Sequence, residues 1–466
     1  MPGTPQRRII TVLAATTATL ASFAIAPAAH AVDLREATSA LAVGGRYQVM
    51  RINHTGDITA ELAAATKSAA SASQPRVVSL PAGTVKLTAQ IRVANNVYLV
   101  ADPGTTVVLS KSADQLLWFN AVNGGVYGGI WDADGKASSV IGTKASTVRV
   151  ANVTVRNAKK NGIVGYARTQ LTLADVTSTG NANDGVHVAE ASRLTASNVR
   201  AVKNRRNGLQ LSSGASGTIT DSALDNNGLA VTGSTTGKVG HGLGVASARA
   251  TVTNTSMSSN KVCGASLTGS VEITLARSTL SGNGRHGVGT TAGVKATISD
   301  SVVSNNRYNG VLASGSGTHV RLASVTISGT SRHGLSVPSK GSATLQGSTI
   351  TTSGRSNISV SDKGTLSVDS ENRLTDGKAE GITVTGQSRL TVSGTGNLVR
   401  ANKASGLVVS GSGTSGRITK SVTFEANRKY GILVKTKGKL ATVTNSFVKN
   451  KSATIYKQSG GKVTKI

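Results

Sequence analysis

A chain of 466 residues with one cysteine, Cys263, cannot carry an internal disulfide framework. Cys263 reads instead as a small buried apolar residue. Aromatic residues make up only 3% of the composition, which removes the stacking platforms on which neutral glycans and single-stranded nucleic acids depend. The few large rings near the amino end, Trp118, Phe119, Tyr127 and Trp131, form a cluster expected in the core there. Acidic residues number 21 against 51 basic ones. So small a carboxylate inventory offers no converging cage for a hard cation, and neither a metal nor another cofactor is expected. Asp132 and Asp134 in "WDADG" are the closest acidic pair, and their alternate placement is expected to make a structural turn. Apolar runs of spanning length are missing after Ala26.

Before that point, Arg7 and Arg8, the apolar run from Ile9 and the triplet Ala29-His30-Ala31 form an export signal with an A-x-A cleavage site, leaving Val32 as the new terminus. Its threonines and small-residue exit favour cleavage over retention as a membrane anchor. The protein is therefore expected outside the cell with no stable membrane span, exported by the general or the twin-arginine route. The formal net charge is +30. A field of that sign favours polyanionic partners such as acidic polysaccharides, wall polymers, anionic membranes or nucleic acid. Nucleic acid is the weakest of these, for want of a stacking surface or a recognised binding module. The expected organisation is a signal peptide at 1–31, an amino-terminal segment with a capping helix at 32–75 and one repeat domain at 76–466. Nothing in the sequence speaks for self-association, so a monomer is the default.

Abundant glycine, serine and threonine would suit a disordered chain, but their regularity does not. The unit G-[ILV]-x-[VL], or a close variant of it, recurs at Gly162, Gly185, Gly208, Gly242, Gly264, Gly287, Gly310, Gly334, Gly381, Gly406 and Gly431, with Asn357 filling the gap. Its intervals run from 22 to 25 residues, except for 34 between Gly208 and Gly242. A second alternating run, such as "QLTLADV" or "HVRLASVTI", lies in each interval. Short strands and tight turns with no helical pattern between them predict an all-β solenoid, a parallel β-helix. Asparagine stands four residues before the glycine at Asn181, Asn204, Asn260, Asn283, Asn306, Asn402 and Asn427, a column of amides placed to bond from coil to coil. The glycine is expected to leave the turn through a conformation side chains disfavour. Ahead of the coils, the stretch 56–87 reads as a helix that Asp57 would N-cap, then a strand, a turn and another strand. That helix is expected to cover the open end of the solenoid.

The helix followed by "VVSLPAGT", the "SNV"- and "NNGV"-like coils and "GGVYGGIWDADG" resemble the secreted right-handed parallel β-helix superfamily that holds pectate lyases, polygalacturonases and mannuronan epimerases. The resemblance spans nearly the whole chain after the leader. It implies right-handed coils and a substrate lying along one outer face; periodicity alone shows neither.

A polygalacturonase-like hydrolase needs paired carboxylates on neighbouring coils. Here Asp184 in "NANDGVH" is followed one coil on by Arg205-Arg206, which breaks that pattern, although "GHGLGV" keeps His241 of interest. A uronate lyase or epimerase asks instead for cations to neutralise the sugar carboxylate and a base to take the proton beside it. Asp184, His187, Arg206 and His241 are the candidate catalytic set, beside the long interval, whose glycine-rich segment 226–242 is expected to loop over a binding face. Asp184 and His187 resemble the epimerases' D-P-H motif only as an acid near a histidine. Gln210, Arg285, His286, Tyr308, Arg332 and His333 are the candidate substrate-binding residues. "SGNGRHGVG" and "SGTSRHGLS" put the same pair two coils apart on one edge, and the positions before each glycine, flanking a turn, are expected at the surface. The reading is of a secreted protein acting on an acidic polysaccharide by lyase or epimerase chemistry. The alternative is a noncatalytic polyanion- or wall-binding rod.

Overall fold

The computed structural model describes residues 33–44, 46–71, 73–228 and 239–466. The export signal and the middle of the long interval, 229–238, lie outside the described residues.

Each coil holds three short strands, as in Thr147–Ala151, Thr154–Arg156 and Asn161–Tyr166. Each strand pairs in parallel with its counterpart one coil on: Thr147 with Gln170, Thr154 with Thr177, Ile163 with Val186. The three stacks are called here sheets A, B and C, in chain order within a coil. Sheet A contains 18 strands and sheet C 16 among the described residues. Sheet B runs as blocks of 7 and 8 strands, joined through single bridges at Arg200, Ala223, Ser256 and Thr279. The result is an all-β parallel β-helix.

Alternation decides the register. Leu171, Leu173, Leu194, Leu211 and Val245 point inward, and a one-residue slip would turn such a set to water. The asparagine column works as expected within its two runs, 181–306 and 402–450: Nδ2 donates to the next Oδ1, from Asn181 to Asn204 at 2.9 Å and from Asn283 to Asn306 at 3.0 Å. Asn227 and Asn450 extend it beyond the positions the glycine spacing marks, bonding Asn204 and Asn427 respectively. Asn227 escaped that spacing because the long interval opens after it.

The repeat glycines act differently from the expectation. None of them has a positive φ. A Cβ at Gly185 would lie 2.7 Å from the Gly208 carbonyl oxygen and 2.6 Å from Asn204 Nδ2. Glycine is required there because the next coil approaches too closely for any side chain. The left-handed conformation falls instead on residues at the A–B turn, such as Asn152, Asp175 and Asn198.

Two helices precede the coils, where one was expected. Helix α1 (Leu34–Ala40) lies on the outside of sheet A, with Ala37 and Leu41 against Val77, Tyr98 and Tyr127, and Glu36 accepting the Tyr127 hydroxyl at 2.8 Å. Helix α2 (Thr59–Lys67) is the one foreseen. Its Leu62 and Ala65, with Ile58 before it, enter the main core at the first coils and close that end. Asp57 accepts the Thr59 amide at 3.0 Å, although the cap position itself is Ile58. Sheet pairing already begins at Gln48–Arg51, alongside Arg76–Leu80.

Phe119 and Trp131 are buried in the core and Tyr127 beneath α1. Trp118 is a correction to the expected cluster: it points outward from sheet C over Gly142, half-buried. Alternation sends Trp118 and Phe119 to opposite faces of one strand. Asp132 forms the expected turn, accepting from the Asp134 amide, Arg156 Nε and Asn157 Nδ2.

Candidate functional site

From Asn161 to Asn309 the residue before the repeat glycine carries a second ladder, one the sequence did not announce. Its side chain accepts the backbone N–H of the equivalent residue one coil on. Asn161 Oδ1 accepts from Asp184 at 3.1 Å, Asp184 Oδ1 from Asn207 at 3.1 Å and Asn207 Oδ1 from His241 at 3.0 Å. His241 Nδ1 accepts from Cys263 at 3.2 Å and His286 Nδ1 from Asn309 at 3.4 Å, while Asn309 Oδ1 accepts from His333 at 3.1 Å. An acceptor is needed at this position, and a neutral imidazole meets the need as an amide does.

That accounts for His241 and for the histidine of the first Arg-His pair, whereas His333 in the second turns its Nδ1 to the Ser356 carbonyl. His241 and His286 are buried, and His333 is half-buried, against the expectation that this position faces water. Burial pushes the His286 imidazole down to about 3, helped by the Arg285 and Arg332 charges. His333 is lowered by the same burial, and its Nδ1 donates to the Ser356 carbonyl at 3.2 Å. Cys263 occupies one rung as a buried thiol raised to about 11, in keeping with an inert small residue.

The arginines before these positions are exposed at Arg285, Arg332 and Arg355 and half-buried at Arg206. They make two groups rather than one continuous row, since Gly240 and Val262 occupy the two rungs between Arg206 and Arg285. In the second group Tyr308 lies between cations, with Arg332 at 4.3 Å and Arg285 at 5.9 Å from its ring centre. His286 meets the same ring edge-on at 5.7 Å.

The first group opens on a hollow of about 320 Å³ on the outer face of sheet C, lined by Asp184, His187, Arg206, Asn207, Gln210, Ser212 and His241, with Gly244 and Ala246 in its floor. Register produces the gathering: His187 pairs with Gln210, and Gln210 with Gly244, all outward positions of adjacent strands. A Cβ at Gly244 would meet Gln210 Oε1 at 2.0 Å, so this glycine makes room for the amide. Asn207 Nδ2 donates to the same Oε1 at 3.1 Å, while Asn207 Oδ1 also receives the Gly240 amide. Gly228 and Gly240 nearly touch, a Cβ on the first reaching 2.8 Å from the Cα of the second. The long interval therefore departs and returns at one point beside the hollow.

Of the expected site residues, Asp184, His187, Arg206, Gln210 and His241 share this hollow; Arg285, His286, Tyr308, Arg332 and His333 stand farther along the solenoid. His187 Nδ1 stands 3.5 Å from Asp184 Oδ2, and His187 Nε2 stands 3.2 Å from Ser212 Oγ. Tyr166 packs edge-on against the imidazole with 6.1 Å between ring centres, restraining its plane. Burial pushes the Asp184 carboxyl up, against the Arg206 charge, and pushes the His187 imidazole down. Ser212 was missed from sequence, because a serine at an outward strand position carries no signal of its own.

The family description "Right handed beta helix region" matches residues 130–275, 161–324 and 318–465. The chain belongs to that right-handed β-helix family. Solved structures similar to it include the A-module of a mannuronan C-5 epimerase from Azotobacter vinelandii, at 14% identity and TM-score 0.39, covering 88% of this chain and 96% of that one. A pectate lyase is similar at 15% identity and TM-score 0.40, over 56% of this chain and 77% of that one. The tailspike protein of a Pseudomonas phage is similar at 11% identity and TM-score 0.40, over 86% and 76%. No curated protein matches the sequence. Among the described residues, no helix is long and apolar enough to cross a membrane.

Proposed function

We propose that this β-helix is a secreted protein acting on an acidic polysaccharide, with lyase or epimerase chemistry at the hollow on sheet C. The reading is carried by one observation: an acid, a histidine and a cation from two successive coils, together with His241, line the same hollow. Arg206 would pair with a uronate carboxylate and lower the cost of charge developing beside it. His187, held neutral by burial and oriented by Asp184, would move the proton on the adjacent carbon. His241 differs from His187 in its tautomer. Its Nδ1 accepts a backbone N–H, so in the neutral ring Nε2 carries the hydrogen and would donate rather than abstract. Gln210 would contact the sugar beside Gly244.

The test is incubation of the full mature protein with alginate, pectate, hyaluronan and glucuronan, reading both the ultraviolet absorbance of an unsaturated uronate and incorporation of solvent deuterium. Absorbance with one polymer would identify elimination, and deuterium without absorbance would identify epimerisation. Arg206→Ala and His187→Ala are expected to abolish either signal. Silence in both readouts with every polymer rejects the reading.

The alternative role as a polyanion-binding rod has its own support in the exposed Arg285–Tyr308–Arg332 stack. Cosedimentation with a silent polymer at low salt, lost in Arg285→Ala/Arg332→Ala, would favour it.

A further inference from the structure

Asp184 raises a problem that its place in the backbone ladder does not solve. The rungs on either side, Asn161 and Asn207, do the same work with neutral amides, each offering an Oδ1 to the next backbone N–H. Asp184 uses its own Oδ1 in that way, at 3.1 Å from the Asn207 amide. Its second oxygen is surplus to the ladder. A carboxylate only 1% exposed carries a desolvation penalty that an asparagine would avoid. The surplus oxygen faces His187 Nδ1 at 3.5 Å.

The consequence passes through the imidazole. With Nδ1 turned toward a carboxylate, the neutral ring keeps its hydrogen on Nδ1, and Nε2 is left with its lone pair. That lone pair faces Ser212 Oγ at 3.2 Å, so the serine hydroxyl donates to it. Carboxylate, imidazole and hydroxyl thus stand in line across two adjacent strands, the order that activates an alcohol. The 3.5 Å arm is the looser of the two, as such contacts are before a substrate closes on them.

We infer that Ser212 is a nucleophile activated by His187 and Asp184, and that the hollow hydrolyses a small carboxylic ester carried by a polar, hydroxyl-bearing ligand. Ser212 Oγ bonds to the ester carbonyl carbon as its proton passes to His187 Nε2. The tetrahedral intermediate collapses with cleavage of the bond to the alkoxy oxygen, which leaves with that proton as an alcohol. Water then attacks the acyl-serine, giving a proton to His187, and the carboxylic acid departs as Ser212 recovers its hydrogen. Ester and water become alcohol and acid, with no other reactant. Arg206, whose charge bears on both Asp184 and His187, is the cation in the hollow placed to hold the oxyanion. The ligand class follows from the walls: Asn207, Gln210, Ser266 and Thr268 are polar, and Gly244 and Ala246 leave room for a small acyl group.

This activity goes beyond uronate chemistry and does not require it. The experiment therefore omits polysaccharide. The full mature protein is treated with a fluorophosphonate, and the adduct is located by mass spectrometry, with 4-nitrophenyl acetate hydrolysis followed in parallel. One equivalent of phosphonate on Ser212 is expected, absent from Ser212→Ala. Asp184→Asn is the decisive variant, because it keeps the Oδ1 rung that Asn161 and Asn207 show to be sufficient and so should fold. Its labelling is expected to slow by about a hundredfold or more, and that of His187→Gln similarly. Absence of label on folded protein, label on another residue, or unchanged labelling in Asp184→Asn overturns the assignment. Uronate elimination or exchange stands or falls separately, since it is read on a different substrate.

Discussion

A histidine whose Nδ1 accepts a backbone N–H must be neutral, and the ladder before the repeat glycines places His241 and His286 under that constraint. The imidazoles of His187, His286 and His333 all have folded pKa values below 6.5, with burial the first cause in each. As pH falls, the unfolded chain takes up these protons first. Their stabilising contribution is therefore present above pH 6.5 and lost below it, for His286 down to about 3. For His286 each pH unit across that window costs about 1.4 kcal/mol. His286→Asn, which keeps an acceptor as Asn309 does, is expected to lessen the drop in melting temperature between neutral and mildly acidic buffer. His286→Leu should instead lower the melting temperature at neutral pH, since an unpaired buried N–H costs about 1–3 kcal/mol, and the difference from the wild type should shrink as the buffer is made acidic. Gly208→Ala is expected to destabilise by about 1–3 kcal/mol in denaturant titration, because its Cβ would sit 2.8 Å from the Gly242 carbonyl oxygen.

Elements in this fold have little meaning singly; a three-residue strand persists because its neighbours above and below hold it. The asparagine column behaves in the same way, and its gap, where Thr330, Ser353 and Gly377 hold three rungs between Asn306 and Asn402, is informative. Gly377 stands where the coil of Gly381 would have its asparagine, and Asn357, in the glycine position of the coil before, reaches across to donate to Asn402 Oδ1 at 2.9 Å. The two departures from the repeat compensate each other. Asn357→Ala should therefore lower the melting temperature, and adding Gly377→Asn should restore part of the loss if Asn402 Oδ1, 2.9 Å from the new Cβ, gives way, whereas Gly377→Asn alone should also crowd Asn357 Nδ2 at 3.2 Å. A rescue that fails would mean that Asn402 Oδ1, 2.9 Å from the new Cβ, does not give way to a side chain at 377.

At the scale of the whole molecule, parallel stacking turns sequence intervals into positions along a rod at about 4.8 Å per coil. The full sequence carries a formal charge of +30, and along the rod the exposed arginines at Arg285, Arg332 and Arg355 mark one edge. Binding to a polyuronate should weaken by about tenfold or more as salt rises from low to several-fold above physiological, since the Debye length falls from about 10 Å at 0.1 M to about 3 Å at 1 M. Calorimetric titration at a series of salt concentrations measures this directly. A salt-insensitive affinity would locate recognition in the hollow rather than along the charged edge.

The period, the all-β class, the asparagine column and the helix at the open end were legible in sequence, because a repeating fold writes each structural requirement once per coil. Asp184, His187 and Arg206 could be nominated for the same reason: register follows from interval, so chemistry at matching positions must meet. What the repeat could not reveal was side-chain direction within the turn. Whether the residue before a glycine faces water or the next coil's amide depends on the path of that coil, which left His286 buried and Arg285 exposed although they are adjacent. The glycines likewise stood out in sequence, but close approach of the next coil explains them, not backbone sign. Ser212 belongs wholly to the tertiary structure. Its hydroxyl gains meaning only because parallel pairing sets it 3.2 Å from an imidazole 25 residues earlier in the chain.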